Sequence, residues 1–299
     1  MKGAKGCFSY PTGHLWPYKL VLSLLAKAVD RGVNLQTQTA VTAVSRASEN
    51  AAKKWLISTP RGDILTDTVI HASNGYAAAL VPEMEGKIVP SRGICCRIVP
   101  KNPMVWSDRS YMLRHNDWEY DYLISRKDGS IVVGGAKRDF YKHLDTWFNN
   151  TDDSTLIESA KGYFDGYMQR TFKGWDDSLA TVDKIWTGSK SSIPCRFPAS
   201  TSFDLLHLVM GYSNDGLPYI GEIPGRSGQY ICAGFNGHGM PQTFLAAEGI
   251  ASMIANGKNY EDTDLPKVFK ISSERLESRS EHTSLAGWKS VMQRAGSKL

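Results

Sequence analysis

The residues best suited to chemistry lie between Gln229 and Asn256. A short apolar run, Gln229 to Ala233, leads into Gly234-Phe235-Asn236-Gly237-His238-Gly239-Met240-Pro241. A segment with helical periodicity follows. Gly234, Gly237 and Gly239 lack a Cβ, so the backbone there can approach a ligand closely. Pro241 is expected to fix the start of the helix. The first-turn amides then have no intrahelical acceptor, and the helix dipole places roughly half a positive charge at that end. Such an end attracts a phosphate or an anionic ring. Spacing alone leaves that choice open, and it also permits simple tight packing of helix on strand. His238 is a tempting acid or base, but its loop position makes it a structural or ligand contact first.

Other reactive groups are sparse. The five cysteines, Cys7, Cys95, Cys96, Cys195 and Cys232, show no C-x-x-C spacing, and no histidine stands at ligand distance from them. They are expected to be reduced, buried thiols, and no metal site is expected. Tyr122 and Arg138 could meet a carboxylate, although a solvated arginine is the simpler reading of Arg138. The chain closes on Ser297-Lys298-Leu299, a tripeptide that the peroxisomal import receptor reads. Peroxisomal localisation is therefore expected.

The elements that must position these groups can be outlined from periodicity. Pro17 opens a helix carrying Leu20, Val21, Leu24, Leu25, Ala28 and Val29, and Gly32 closes it. Val33 to Val44 reads as a strand. Trp55-Leu56-Ile57 and Ile64-Leu65 flank Pro60-Arg61-Gly62-Asp63, a hairpin signal. Val69 to Gly75 reads as a strand buried on both faces, ending in small residues. Ile88 to Pro100 reads as one strand. Asp128-Gly129 lies between Tyr120–Arg126 and Ser130–Ala136, the strongest hairpin signal in the chain. Thr155 to Phe172 reads as a helix. The final helix is expected to bury Phe244, Leu245, Ile250, Met253 and Ile254 and to stop at Gly257. From Ser272 onward the chain is polar and expected to be partly disordered.

Composition excludes several functions. Over 299 residues the net charge is +5, with lysine and arginine scattered rather than clustered, so nucleic-acid binding is not expected. No apolar run is long enough for a membrane span, and the N-terminus lacks the apolar region of a signal peptide. The mixture of helix–strand units and antiparallel hairpins predicts an α/β (mixed α+β) fold with an inserted antiparallel sheet.

Five segments, in order, resemble the D-amino-acid oxidase-like family of FAD-dependent oxidoreductases, with fungal members nearest in likeness. Gly234 to Met240 is similar to its G-F-S-G-H-G-M loop, and Gly211 to Gly221 to its G-x-T-x-D-x-x-P-x-I-G stretch. Val69–Gly75 is similar to its A-T-G strand end, Pro90-Ser91-Arg92-Gly93 to P-x-R-G, and Trp186-Thr187-Gly188 to W-x-G. The resemblance covers roughly residues 10 to 257 and implies FAD as cofactor. It implies that Gly237, His238, Gly239 and Met240 face the pyrimidine end of the flavin, with Gly234 also among the cofactor-binding residues. It also implies that Ala72, Asn74 and Gly75 line the cofactor channel, that Val41 bonds the adenine side, and that Asp215 and Pro218 shape the loop beside the ring. Tyr122 and Arg138 would be the substrate contacts. The implied reaction is oxidation of a C–N bond in a small amine or amino acid, with oxygen as acceptor and no catalytic base named.

The sequence departs from that family in two places. It has no strand–G-x-G-x-x-G–helix unit, since nothing apolar precedes Gly3-Ala4-Lys5-Gly6. The expectation is an incomplete Rossmann-type FAD layer with a misplaced start, built from residues 1–86 and 205–271. An antiparallel substrate-binding domain at 87–204 and a polar tail at 272–299 complete the expected plan. Ser189 to Val209 interrupts the family pattern and is expected to be translated intron. Two alternatives stand beside the oxidase: a non-catalytic remnant or interaction protein, and a flavin oxidoreductase of secondary metabolism.

Overall fold

A computed structural model describes residues 1–102, 109–187 and 209–296. The strands are β1 (Ala43–Arg46), β2 (Trp55–Thr59), β3 (Gly62–Thr66), β4 (Val69–His71), β5 (Ile88–Arg92), β6 (Cys95–Val99), β7 (Ser110–Arg114), β8 (Tyr120–Ser125), β9 (Ile131–Gly134), β10 (Thr181–Trp186), β11 (Val209–Ser213), β12 (Tyr219–Glu222) and β13 (Gln229–Ala233). The helices are α1 (Pro17–Asp30), α2 (Lys137–Phe140), α3 (Tyr167–Thr171), α4 (Thr243–Asn256), α5 (Ser273–Glu277) and α6 (Thr283–Gly296). Among the described residues, no helix is long and apolar enough to cross a membrane.

The chain forms two compact units. The first gathers Met1–Val33, Arg92–Trp147 and Asp152–Val209. Its centre is an antiparallel sheet in the order β10-β6-β9-β8-β7. The Asp128-Gly129 hairpin forms as expected, with Ser125 opposite Ile131 and Gly129 at φ 78°. Leu123, Val133, Cys96 and Ile98 fill the closed face of this sheet. Asp121 is also fully buried there. One of its carboxylate oxygens accepts from Tyr163 Oη (2.5 Å), Tyr167 Oη (2.8 Å) and His115 Nε2 (2.9 Å), and the other from the Ala136 amide (3.1 Å). A buried carboxylate is tolerable when its lone pairs are used in this way.

The second unit gathers Asn34–Ser91, Phe148–Thr151 and Met210–Leu299. It holds the β1-β2-β3 meander, the β11-β5 pair and the β12-β13-β4 sheet. In the last, β13 runs parallel to β4 and antiparallel to β12. Met84, Ile88, Tyr219, Ile231 and Ala233 form one buried cluster, and Phe235, Ala246, Ile250 and Met253 another.

Several expectations are corrected. The strand predicted from Val33 begins only at Ala43, where pairing with β2 starts. Before it, the side chains of Gln36 and Thr39 bond to Asn34 and Thr37 instead, the local competition typical of such residues. Ile88 to Pro100 is two strands, because the chain breaks at Gly93-Ile94. The Thr155–Phe172 helix is a 3₁₀ stretch, Glu158–Phe164, followed by α3, and left-handed Gly166 (φ 63°) separates them. The tail from Ser272 folds into α5 and α6. In α4 the buried face is Ala246, Gly249, Ile250 and Met253, whereas Phe244 and Leu245 are exposed. Leu265 packs closely on Gly249, so that a Cβ at Gly249 would require the Leu265 side chain to shift. The helix predicted at Pro17 forms, and Gly32 and Val33 donate back to Val29 and Ala28 in a Schellman closure, yet none of its residues is buried. The expectation for Ser189–Val209 falls outside the described residues except at Val209. Gly188, Cys195 and Ser297-Lys298-Leu299 also fall outside them.

Replacing Asp121 by Asn turns one buried acceptor into a donor facing other donors. The change should destabilise the first unit by about 1–3 kcal/mol for each orphaned group, read as a lower denaturation midpoint with unchanged far-ultraviolet dichroism.

Candidate functional site

The site is built where two parallel strands end side by side. β4 ends at His71 and β13 at Ala233, and each runs directly into a loop. In open α/β sheets, ligands bind beyond these carboxyl ends. Asn74, at φ 46°, joins the two loops, since its Oδ1 accepts from the amides of Gly234 (2.9 Å) and Phe235 (3.3 Å). Gly211 of β11 packs directly on this junction. A Cβ at Gly211 would lie 2.6 Å from Asn74 Oδ1 and 2.8 Å from the Gly75 nitrogen.

Asn236 locks the far side of the glycine loop. It sits at φ 55°, in the left-handed region. Its Oδ1 accepts from the Ser213 amide (2.8 Å), its Nδ2 donates to Gly234 O (2.7 Å), and its own amide donates to Gly211 O (2.8 Å). With its base fixed, the loop holds Gly237, His238 and Met240 out into the open. His238 turns inward only through Nδ1, which bonds Asn236 O at 2.8 Å.

Helix α4 starts at Thr243, two residues after Pro241. The amides of Gln242 and Thr243 both donate to Gly239 O, and the first intrahelical bond is Ala246 to Gln242. Among the described residues, no carbonyl or capping side chain accepts from the amides of Phe244 and Leu245, and the first turn carries no acid. Positive potential therefore persists at this end, beside exposed glycine backbone and three exposed apolar side chains, Met240, Phe244 and Leu245.

The structure places the remaining predicted residues as follows. Val41 and Ala72 share a cleft of about 350 Å³ with Ile57, Ile70, His71 and Ser73. Ser73 Oγ is buried without a hydrogen-bond partner among the described residues. Asp215 forms a bidentate pair with Arg275, with Nε–Oδ2 at 3.0 Å and Nη2–Oδ1 at 3.1 Å. Tyr122 and Arg138 belong to the first unit. Tyr122 lies in β8, against Gly134, and its hydroxyl meets Cys95 Sγ at 2.8 Å. Arg138 lies in α2 rather than on the hairpin, with its guanidinium over the Tyr163 ring and near Asp139 (3.4 Å) and Glu119 (3.9 Å). Cys95 and Cys96 are buried; burial pushes the Cys95 thiol up to about 12 and raises that of Cys96 further. Cys7 is exposed, against expectation. Among the described residues, no His, Cys, Asp or Glu cluster could hold a metal.

Two buried histidines frame the site unforeseen. His71 Nε2 bonds Gln229 Oε1 at 2.9 Å. His282 Nε2 donates to Tyr212 O at 3.0 Å, and its Nδ1 accepts from the Ser284 amide at 3.2 Å. Burial lowers the pKa of both below the ordinary histidine value. The unfolded chain thus takes up protons near pH 6.5 while the folded chain resists them. Stability is complete above that value and falls as pH drops below it.

A model of the family described as "FAD dependent oxidoreductase" matches residues 2–253. Human mitochondrial dimethylglycine dehydrogenase is 23% identical over 260 residues, covering 85% of this chain and 27% of that protein. Glycine oxidase of Bacillus subtilis is 22% identical over 251 residues, covering 83% of this chain and 56% of that enzyme. The crystal structure of glycine oxidase from Geobacillus kaustophilus superimposes with a TM-score of 0.59 at 18% identity, over 85% of this chain and 57% of the other. The chain therefore spans between about a quarter and three-fifths of the length of these relatives.

Unfolding measured from pH about 8 to about 5 should lose up to about 1.4 kcal/mol per unit for each resisting histidine. His282→Asn and His71→Asn should each give a shallower slope. An unchanged slope in both variants would contradict the burial argument.

Proposed function

Because the chain belongs to the FAD dependent oxidoreductase family, we propose that it serves the flavin-dependent oxidation of a C–N bond in an amine or amino acid, with oxygen as electron acceptor. One observation carries this reading: the glycine loop at 234–240 is held open beyond the ends of β13 and β4, with unbonded amides at the start of α4 behind it. The residues present suit a flavin. Gly237 leaves backbone exposed, the first turn of α4 carries no acid to oppose an electron-rich ring, and Val41, Ala72 and Ser73 line a cleft for the remainder of the cofactor.

When bound, flavin supplies the two-electron oxidation of the substrate carbon. The work of this chain is electrostatic and positional. The amides of Gly237, Gly239 and Met240, with those of Phe244 and Leu245 in the first turn of α4, would face the place where reduction builds negative charge and lower the cost of that charge without reorganisation, whereas the His238 amide is already given to Phe235 O. Asn74 and Asn236 fix those groups in advance. Met240, Phe244 and Leu245 offer apolar surface that displaces water from the ring. The names of the relatives point to small amino acids or N-substituted glycines as the substrate class. In the first unit, Tyr122 remains a candidate contact, while Arg138 is already engaged by Asp139 and Tyr163.

A second reading, as an interaction protein, has one observation in its favour: α1 leaves Val21, Leu22, Leu24 and Val29 exposed. Purified protein decides between the two. We expect visible flavin absorbance after desalting and substrate-dependent peroxide release with N-methylated glycines. Colourless protein that takes up no added FAD would favour the second reading. Ser297-Lys298-Leu299 further supports receptor-mediated import into peroxisomes, although these residues lie outside the described ones. A fluorescent protein ending in residues 272–299 should co-localise with catalase, and should become diffuse once Leu299 is removed.

A further inference from the structure

The segment after residue 253, beyond the family match, closes onto the loop between β11 and β12. Arg275, in α5, is its anchor. All five of its side-chain N–H directions are used: Nε and Nη2 on the Asp215 carboxylate, Nη2 also on Leu217 O (3.2 Å), and Nη1 on Pro218 O (3.2 Å) and Lys270 O (2.9 Å). The guanidinium carbon lies 4.0 Å from the centre of the Tyr219 ring. Farther along, the Thr283 amide donates to Asn214 O (2.9 Å) and His282 to Tyr212 O (3.0 Å). Tyr212 at the end of β11 and three residues of the loop that follows, Asn214, Leu217 and Pro218, thus give their carbonyls to Arg275, His282 or Thr283.

That loop is bonded directly to the glycine loop. Asp215 Oδ1 accepts from Ser213 Oγ (3.3 Å), Ser213 Oγ accepts from Asn236 Nδ2 (3.1 Å), and Asn236 Nδ2 also donates to Gly234 O (2.7 Å). The relay Arg275–Asp215–Ser213–Asn236–Gly234 is continuous. It ends on Gly234, at the base of the glycine loop whose later amides the proposed flavin chemistry uses. The Tyr212 hydroxyl, on the residue that His282 holds, lies 3.3 Å from where a Cβ of Gly237 would be.

We propose that Arg275 is a positioning residue for the glycine loop 234–240, acting through Asp215, Ser213 and Asn236, and that residues 272–283 are the clasp that sets this loop for its ligand. The idea rests on the flavin reading for the identity of that ligand, but not for the coupling itself. A lysine cannot replace the fork, because one ammonium cannot bond a carboxylate bidentately and three carbonyls as well.

The test uses the full chain and its Arg275→Lys, Arg275→Met and Asp215→Asn variants. Backbone hydrogen exchange is followed by mass spectrometry, and FAD is titrated by quenching of its fluorescence. We expect exchange across 234–240 to rise about tenfold or more in Arg275→Met and Asp215→Asn, as loss of a charged hydrogen-bonded pair implies. Exchange in β9 of the first unit should stay unchanged. FAD affinity should fall in parallel, with Arg275→Lys intermediate. Faster exchange confined to 272–283, with 234–240 unaffected, overturns the proposal, as does FAD affinity equal to wild type in both charge-removing variants. If wild type itself binds no FAD, the flavin reading fails, and exchange at 234–240 still decides the clasp. If Arg275→Met does not fold, Asp215→Asn and Arg275→Lys carry the same comparison.

Discussion

The arrangement of the second unit depends on one side chain accepting two amides. Asn74 Oδ1 takes the N–H groups of Gly234 and Phe235 just as the chain leaves β13. These amides lie where the parallel ladder has run out of partners, so without Asn74 they would be unsatisfied in a largely buried place. Left-handed geometry at Asn74 aims the side chain across the strand ends, and asparagine adopts that geometry more readily than most residues. The absence of a side chain at Gly211 lets β11 close over the junction. Strand ends, glycine loop and covering strand thus form a single constraint.

From that constraint follows the electrostatic character of the site. A helix whose first turn were capped by its own sequence would present little free charge to a ligand. In α4 the amides of Gln242 and Thr243 are spent on Gly239, while those of Phe244 and Leu245 find no acceptor among the described residues. Helix starts generally carry Ser, Thr, Asp or Asn as caps, and an unfilled one costs stability. The cost is borne beside exposed glycine and apolar surface, the setting in which a bound anionic ring would recover it.

Legibility in the sequence tracked the range of the interactions involved. Local signals sufficed for both hairpins, for α1 and for the strand–loop–helix at 229–256, because turn chemistry and glycine placement act over a few residues. Where the partner was remote, local signals failed. Phe244 and Leu245 carry apolar periodicity, yet the buried face of α4 is the one on which Gly249 packs against Leu265. Polar composition concealed the order of the tail, since Arg275 and His282 are ordered by Asp215 and a Tyr212 carbonyl some 60 and 70 residues away. Asp121 was equally invisible: its four donors come from three separate stretches of chain. Of the candidate site, the glycine loop was legible locally and Asn74 only through the resemblance, whereas the bonds by which Asn74, Asn236, Ser213 and Arg275 hold the loop were not. Ser272, which caps Arg275 N, was the one local hint of a helix there.

Asn236 shows why the loop can differ from the resembling G-F-S-G-H-G-M pattern without losing its shape. A serine offers one hydroxyl, and few non-glycine residues other than asparagine and aspartate tolerate positive φ. At φ 55° asparagine meets the backbone demand at little cost. Its amide also makes a donor–acceptor bridge, Ser213 N to Oδ1 and Nδ2 to Gly234 O, that a single hydroxyl cannot span. If the ligand is met by backbone amides, selection acts on the path of the main chain rather than on the side chain at 236. A residue that holds the same path by other bonds is then compatible with backbone recognition.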